Sequence, residues 1–528
     1  MQLSDEQKAI IEYDGNAVIN ACAGSGKSTT LVEYAKRYPH KNFLYLVFNR
    51  SAKDEAIRKF LAAGVSNVTI ETAHSLAYRG LDVRNRFTLT KSGNLKTYDI
   101  MKLCGIRSTT AVDAVQGLVL SKHIQKMLNS YCNSNVQKLG DIDYPATITD
   151  EKAALFVQRH LDTISGCCRD ILTKMYKSEI PITHDAYLKF YQLTNPELPY
   201  SHILYDEAQD CSPVMLDIFT RQKATKTAVG DQHQAIYGFR DAVNSLAQLD
   251  YKKFNLTTSF RFPQEIADLS MRALRLKKKF GMLKDIHQIK GLGTSSKCDS
   301  HAVLARTNLR LLDRAIEEVV VRGTNRIHFE GDLNSYTYAA EGGSLYDILY
   351  LRLGHAHKVQ NEFIRNFRSF HALQEYISAT EDNELGLMVE IVNKYGNSLW
   401  DCMRRLKECH VPKEMAQLVF STVHKAKGAE YDQVEILEGF ITGDKIDGIL
   451  AAQYRSAKTG EENPKKADYA ALAEEVNILY VCLTRTRNVL FMGFDLEQGS
   501  TGGEARVFGK RPPEGDILNN KLVEGAIF

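Results

Sequence analysis

The chain has 528 residues, more than one hydrophobic core normally serves, so several domains are expected. The formal net charge is +3 and a quarter of the residues are charged, which is ordinary for a globular protein. This balance excludes a uniformly basic surface, so a nucleic-acid partner would require basic residues gathered in a groove. The sequence has no apolar run of 18 residues and no charged-then-apolar leader. We therefore expect a cytoplasmic, reduced protein that makes no membrane contact.

A helix, a strand, a turn of small residues and a second helix are predicted near the N-terminus. Ser4 and Asp5 cap the first helix, and the apolar run 17–21 predicts a buried strand. The sequence A-C-A-G-S-G-K-S (21–28) then matches the phosphate-loop pattern, with Ala21 at the position of the first glycine. Backbone N–H groups of such a turn surround phosphate oxygens, and the following helix N-terminus favours the anion. In this pattern Lys27 reaches the β- and γ-phosphates and Ser28 is a ligand of Mg²⁺.

Strands and helices alternate after this loop. We predict strands over 43–48, 68–71, 202–205 and 226–229, with a helix over 51–62, which favours a doubly wound parallel sheet. Residues 86–190 lack this alternation and are predicted to be a mostly helical insertion.

A second set of strands is predicted to begin near Phe254. It comprises 301–305, 326–329, 417–422, 433–437 and 488–493. The fold class is therefore α/β, with two parallel-sheet domains that each carry a helical insertion. The predicted parts are 1–85 plus 191–253 for the first domain, 86–190 for its insertion, 254–330 plus 414–494 for the second domain, 331–413 for its insertion, and 495–528 for a loosely ordered tail.

Polar residues at strand ends complete a site for phosphoryl transfer. Asp206 and Glu207 follow an apolar strand, where the first would hold Mg²⁺ and the second would polarise the attacking water. Gln234 follows the next strand and could sense the γ-phosphate. Arg261 and Arg485 lie in the second strand set, from which they could stabilise charge on the phosphoryl group across a cleft.

Ordered motifs over most of the chain resemble the superfamily 1 DNA helicases of the UvrD/Rep/PcrA type. Within that group the chain is most similar to the F-box DNA helicase branch, although we expect neither the F-box nor a ubiquitin-ligase role. The resembling stretches are L-S-D-E-Q (3–7), the phosphate loop, F-N-R-S-A (48–52), T-A-H-S (72–75), Y-D-E-A-Q-D (205–210), V-G-D-Q-H-Q-A-I-Y-G-F-R (229–240), T-S-F-R-F (258–262), A-R-T-N (305–308), T-V-H-K-A-K-G-A-E-Y (422–431) and E-E-V-N-I-L-Y-V-C-L-T-R-T (474–486).

The resemblance implies two RecA-like domains with ATP and Mg²⁺ in the cleft between them. It implies that Lys27, Asp206, Glu207, Gln234, Arg261 and Arg485 serve catalysis and that Ser28 and Asp206 hold the metal. It also implies 3′-to-5′ movement on single-stranded DNA, unwinding of tailed or forked duplexes, and a role in repair, recombination or replication. The implied nucleotide-binding residues are Gln7 at the adenine edge, Phe260 stacked on the base, Glu430 at the ribose, Gly428 beneath the nucleotide, and Ala23, Gly24, Ser25, Gly26, Lys27, Ser28 and Thr29 around the phosphates.

Two aromatic residues are candidates for a platform on which bases stack. Tyr237 and Phe239 are two residues apart and would point the same way in an extended segment. The same residues could instead belong to the core. Further candidates for phosphate or base contacts are Asn49, Arg50, His74, Arg240, Thr422 and His424.

Several functions remain open at this point. One is a helicase, and another is a single-strand translocase that strips proteins such as recombinase filaments with little unwinding. A third is a DNA-binding scaffold whose ATPase has decayed, which the intact catalytic set opposes. An RNA substrate is a fourth possibility. The motifs resemble the DNA branch, but the sequence displays no residue that reads the 2′-hydroxyl and so distinguishes RNA from DNA. We expect a monomer, with protein partners from repair or recombination.

Overall fold

Two six-stranded sheets form the centre of the molecule in the computed structural model. The structure describes residues 3–91, 93–106, 111–148, 150–238, 244–283, 287–331, 333–339, 341–459, 468–500 and 506–509. Both sheets are parallel apart from one edge strand, so the predicted α/β class is confirmed.

The first sheet has the strand order β3-β2-β4-β5-β1-β6, and all its neighbours are parallel. Its central strands are continuous apolar runs because helices cover both faces, as the fully buried sequence F-L-Y-L-V of β2 illustrates. The strands are β1 Ala17–Ala21, β2 Phe43–Val47, β3 Val68–Thr72, β4 His202–Tyr205, β5 Thr225–Gly230 and β6 Lys252–Leu256.

The second sheet has the strand order β10-β11-β9-β12-β13-β16, in which only β16 is antiparallel to its neighbour. Two-residue strands pair outside the large sheets, β7 Thr258–Ser259 with β8 Lys290–Gly291 and β14 Phe494–Asp495 with β15 Gly499–Ser500. The strands of the second sheet are β9 His301–Ala305, β10 Ile327–Phe329, β11 Leu418–Thr422, β12 Tyr431–Ile436, β13 Thr486–Met492 and β16 Arg506–Gly509.

Helices flank both sheets and fill both insertions. Around the first sheet they are Asp5–Glu12, Lys27–Arg37, Arg50–Ala62, Ala73–Gly80, Pro213–Thr220 and Ser245–Gln248, and around the second Gln264–Arg275, Asn308–Ile316, Val423–Ala426, Gly443–Thr459 and Tyr469–Leu483. The first insertion contains Val83–Arg86, Thr97–Leu103, Ala111–Asn133, Glu151–Tyr176 and His184–Leu193, and the second contains Leu345–Arg352, Glu362–Arg365, Phe370–Thr380, Asn383–Tyr395 and Leu399–Glu408. None of the helices within the described ranges is long and apolar enough to cross a bilayer.

Two expectations about the boundaries are wrong. The second strand set does not begin near Phe254, because β6 lies beside β1 in the first sheet. The segment from residue 495 is also more ordered than expected where it is described, since β16 forms a ladder with β13 and Arg506 pairs with Asp495. The β6–β1 pairing joins distant parts of the chain, and local sequence pattern does not reveal such a pairing.

The two helical insertions pack against each other. Met101, Leu118 and Val119 of the first insertion belong to the same buried cluster as the core of the second. Lys122 lies 3.2 Å from a carboxylate oxygen of Asp382 and 3.6 Å from one of Glu341. The insertions therefore form one helical body beside the two sheets.

The edge strand β16 provides a stability test. A chain that ends at residue 500 loses the ladder on β13, and at 0.5–1.5 kcal/mol per net hydrogen bond the cost should be about 2–3 kcal/mol. Thermal unfolding followed by circular dichroism should show a lower midpoint for this chain than for one that ends at residue 512. Equal midpoints would contradict a structural role for β16.

Candidate functional site

The phosphate loop lies between the end of β1 and the helix Lys27–Arg37. Gly24 and Gly26 have φ angles of +75° and +79°, in the left-handed region that favours glycine. A Cβ on Gly24 would lie 2.5 Å from the Cβ of Arg261. Glycine at position 24 therefore allows the phosphate loop to contact Arg261, which follows the first sheet in the chain.

Lys27 and Glu207 form an ion pair at the centre of the site, with 2.8 Å between Nζ and Oε1. Burial tends to raise the pKa of Glu207, but the charges of Lys27 and Lys427 outweigh it and lower the pKa to about 2. The backbone of Glu207 is left-handed, with φ of +52°, which costs a non-glycine residue about 1–3 kcal/mol. Glu207 is thus held ionised, in a strained conformation of the kind that clusters at functional sites.

Asp206 is the residue best suited to a metal ion. Burial and the neighbouring Glu207 charge raise its pKa, and Tyr45 donates a hydrogen bond of 2.6 Å to its Oδ2. A divalent cation would offset the repulsion between two adjacent carboxylates in this cavity, which Ser28 also lines. The described residues contain no group of three or more His, Cys, Asp or Glu side chains that could hold a metal. Mg²⁺ is usually bound by one or two carboxylates together with water and substrate phosphates, which fits Asp206 and Ser28.

The second sheet contributes a buried positive charge. Arg485 is 1% exposed, and its Nη2 donates to Oε1 of Gln234 at 3.4 Å. Burial and the nearby charge of Arg261 lower the pKa of Arg485 to about 10, so it remains charged at neutral pH. No carboxylate among the described residues forms a salt bridge with Arg485, which leaves its charge available to an anion in the cleft.

Arg261 is held differently. Its Nε and Nη2 donate to Oε1 of Glu430 at 2.8 and 2.5 Å, and its Nη1 donates to the carbonyl of Thr484. Glu430 also pairs with Arg487 at 3.0 Å. The carboxylate predicted to contact the ribose therefore holds two arginines in this structure.

One cavity of about 350 Å³ collects most of the predicted nucleotide site. Gln7 and Phe260 do not line it. Gln7 is buried and its amide bonds Ser4 and Thr30, whereas the side chain of Phe260 is on the surface. The predicted residues that do line it are Ala23, Gly24, Ser25, Gly26, Lys27, Ser28, Thr29, Asp206, Glu207, Gln234, Arg261, Gly428, Glu430 and Arg485.

Lys427 is a site residue that the sequence reasoning missed. Its Nζ donates to Oδ2 of Asp210 at 2.5 Å and to the carbonyl of Gln234 at 2.6 Å, and it lies 4.8 Å from the ring centre of Tyr237. Burial raises the pKa of Asp210 to about 6 despite this contact. The sequence signal for Lys427 is its position directly before Gly428 in the motif T-V-H-K-A-K-G-A-E-Y (422–431).

Tyr237 lies at the edge of the same cavity and stacks on Phe48. Their ring centres are 5.5 Å apart and their planes differ by 11°. The Tyr237 hydroxyl donates to the carbonyl of His424, whose pKa is lowered to about 4 by burial and by Arg306. Phe48 is the first residue of the motif F-N-R-S-A (48–52), but sequence reasoning does not predict that it stacks on Tyr237.

Of the other nucleic-acid candidates that the structure describes, Asn49 lines the same cavity, whereas Arg50, His74 and Thr422 do not. Asn49 caps the helix Arg50–Ala62 through Ala52, and both Asn49 and Arg50 are exposed. His74 lies 3.5 Å from Asp185 of the first insertion, and Thr422 is 7% exposed. Phe239 and Arg240 lie outside the described residues, so the predicted spacing of Tyr237 and Phe239 stays a prediction.

Comparison with known proteins gives two family matches that together cover most of the chain. Residues 3–255 match the UvrD/REP helicase N-terminal domain, and residues 286–496 match the UvrD-like helicase C-terminal domain.

Three curated proteins illustrate the similarity. "F-box DNA helicase 1" of Gallus gallus is 28% identical over 530 residues, which cover 94% of this chain and 49% of that protein. "F-box DNA helicase protein 1" of Schizosaccharomyces pombe is 28% identical over 530 residues, 93% of this chain and 57% of its own length. "DNA helicase IV" of Escherichia coli is 27% identical over 313 residues, 57% of this chain and 35% of that protein. The chain thus spans about half the length of the first two relatives.

The Lys27–Glu207 pair predicts a pH-dependent stability. The folded pKa of Glu207 is about 2, below its ordinary 4.5, so the pair stabilises the fold above pH 4.5 and this contribution is lost as pH falls toward 2. Lys27→Ala should lower the unfolding free energy at pH 7 by about 1–2 kcal/mol, discounted because the Glu207 side chain is 32% exposed. Urea unfolding should show a smaller deficit at pH 3.5 than at pH 7. An equal deficit at both values would contradict this assignment.

Proposed function

The chain is a member of the UvrD/REP helicase family, and from this premise we propose that it is an ATP-dependent DNA helicase that moves along single-stranded DNA. The observation that carries the proposal is the shared cavity, in which Lys27 and Glu207 of the first-sheet domain face Arg261 and Arg485 of the second-sheet domain. Phosphoryl transfer requires little beyond such positioned charges.

Lys27 and the two arginines have the geometry to bind a triphosphate. ATP would compete with Glu207 for Lys27 and with Glu430 for Arg261, since phosphate oxygens are stronger anionic partners. Glu207 released from Lys27 could then orient and polarise the attacking water. Arg485 would stabilise charge on the transferred phosphoryl group. Gln234, which accepts a hydrogen bond from Arg485, would sense the γ-phosphate.

Ser28 and Asp206 are the residues that would hold Mg²⁺. When bound, this ion would neutralise charge on the β- and γ-phosphate oxygens. Tyr45 supports the arrangement because its hydrogen bond fixes the Asp206 carboxylate.

The polynucleotide side of the proposal rests on Tyr237 and Phe48. Both residues are half-buried and line the cavity, and aromatic rings can stack with bases at about 1–3 kcal/mol per base. Tyr237 lies three residues after Gln234 in the same segment, so ATP turnover can alter the contact with the strand. We propose 3′-to-5′ polarity, a role in repair or recombination, and a monomeric active form on the family resemblance alone.

The direct test is an assay of ATP hydrolysis and strand displacement on duplexes with a 3′ or a 5′ single-stranded tail. We expect ATPase activity stimulated by single-stranded DNA, and unwinding of the 3′-tailed duplex only. Lys27→Ala is the matched control and should bind single-stranded DNA while it loses both activities. Binding should weaken as salt rises, because contacts to phosphates release counterions.

Two outcomes would contradict the helicase proposal. Hydrolysis that is equal in wild type and Lys27→Ala would remove the nucleotide site from this cavity. Rapid DNA-stimulated hydrolysis with no unwinding of either tailed duplex would indicate a translocase that displaces proteins instead. A parallel series with RNA strands distinguishes the two nucleic acids.

A further inference from the structure

One helix of the second-sheet domain lies along a segment of the first-sheet domain. The segment is 231–238, which runs from the end of β5 through Gln234 to Tyr237, and the helix is Tyr469–Leu483. Positions three apart on a helix are neighbours on its surface. Glu474, Asn477 and Tyr480 follow this spacing, and all three contact the segment.

The contacts cover both ends of segment 231–238. The hydroxyl of Tyr480 donates to Oδ2 of Asp231 at 2.9 Å, and the same oxygen accepts from the side chain of Gln234 at 2.8 Å. Three residues earlier on the helix, Asn477 donates to the carbonyl of Ala235 at 2.8 Å.

The remaining contact is at the aromatic end of the segment. Oε1 of Glu474 accepts the backbone N–H of Gly238 at 3.0 Å. A Cβ on Gly238 would lie 2.3 Å from Oε2 of Glu474, so a larger residue at 238 would push the Glu474 carboxylate aside. Gly238 follows Tyr237 directly, and Glu474 therefore fixes the backbone that carries the stacking ring.

Asn477 is itself held in place by a buried lysine. Lys277 donates to Oδ1 of Asn477 at 2.5 Å and lies 3.4 Å from Nδ1 of His233 in the segment. The Asn477 amide thus has both its ends engaged, one by Lys277 and one by Ala235. The contact is a fixed joint between the domains.

We propose that Glu474 and Asn477 are positioning residues that couple the nucleotide site to the single-strand platform. Glu474 and Tyr480 are six residues apart, about 9 Å along a rigid helix. Nucleotide bound at Arg485 and Gln234 would move the helix Tyr469–Leu483. Tyr480 and Asn477 transmit this movement to the Gln234 end of the segment, and Glu474 transmits it to the Tyr237 end. Tyr237 then moves together with Gln234.

This inference rests on the proposed helicase function, and the two can fail separately. The measured quantity is the number of base pairs unwound per ATP hydrolysed, beside the ATPase rate without DNA. Glu474→Ala should lower the unwinding per ATP by about fivefold, the effect of one lost hydrogen bond, and leave the DNA-independent rate within about twofold of wild type. Glu474→Gln keeps an acceptor for Gly238 and should retain most of the coupling.

Gly238→Ala supplies an independent variant, since its Cβ would displace Glu474 without removing the carboxylate. It should reproduce the loss, and the double variant Gly238→Ala with Glu474→Ala should be no worse than either single change. A variant whose thermal unfolding midpoint matches that of wild type is folded and can be compared with it. If wild type shows no DNA-stimulated ATPase, or hydrolyses ATP but unwinds neither tailed duplex, the proposed function fails. If wild type unwinds DNA and Glu474→Ala and Gly238→Ala keep the wild-type unwinding per ATP, the coupling proposal alone is overturned.

Discussion

The buried guanidinium of Arg485 is the constraint on which the site depends. It lies against Gln234, across the boundary between the two sheets, and no described carboxylate neutralises it. A charge removed from water is costly unless an anion or hydrogen bonds compensate it. Carbonyl oxygens of Val481 and Ala429 compensate in part, and a bound phosphate would do so more fully. The Arg485 charge would therefore favour an anion in the cleft, and its contact with Gln234 joins the two domains.

Ion pairs elsewhere in the cleft keep the other charges compensated. Glu207 holds Lys27, Glu430 holds Arg261, and Asp210 holds Lys427, each by a contact of 2.5–2.8 Å. A polyphosphate would offer Lys27 and Arg261 a competing anion, and Lys427 lines the same cavity. Lys427 joins the second-sheet domain to Asp210 and to the carbonyl of Gln234.

Sequence predicted the parts of the fold that depend on local pattern. Continuous apolar strands such as β2 and the phosphate loop between β1 and its helix follow from local sequence, and the predicted catalytic residues at strand ends line one cavity. The parts that were missed depend on distant pairing. β6 belongs to the first sheet only because it lies beside β1, and β16 is a strand only because β13 has a free edge.

The missed site residues have the same explanation. Tyr45 is one apolar strand position among several, and only the tertiary fold brings its hydroxyl to Asp206. Lys427 and Glu474 lie within recognisable motifs, but their roles arise from contacts across the cleft. The most direct measurement of the account is ATP hydrolysis by Arg485→Ala at saturating single-stranded DNA. We predict a rate at least about 1,000-fold below wild type, the effect of a lost arginine finger, with ATP still bound; a rate near that of wild type would contradict a site shared between the two sheets.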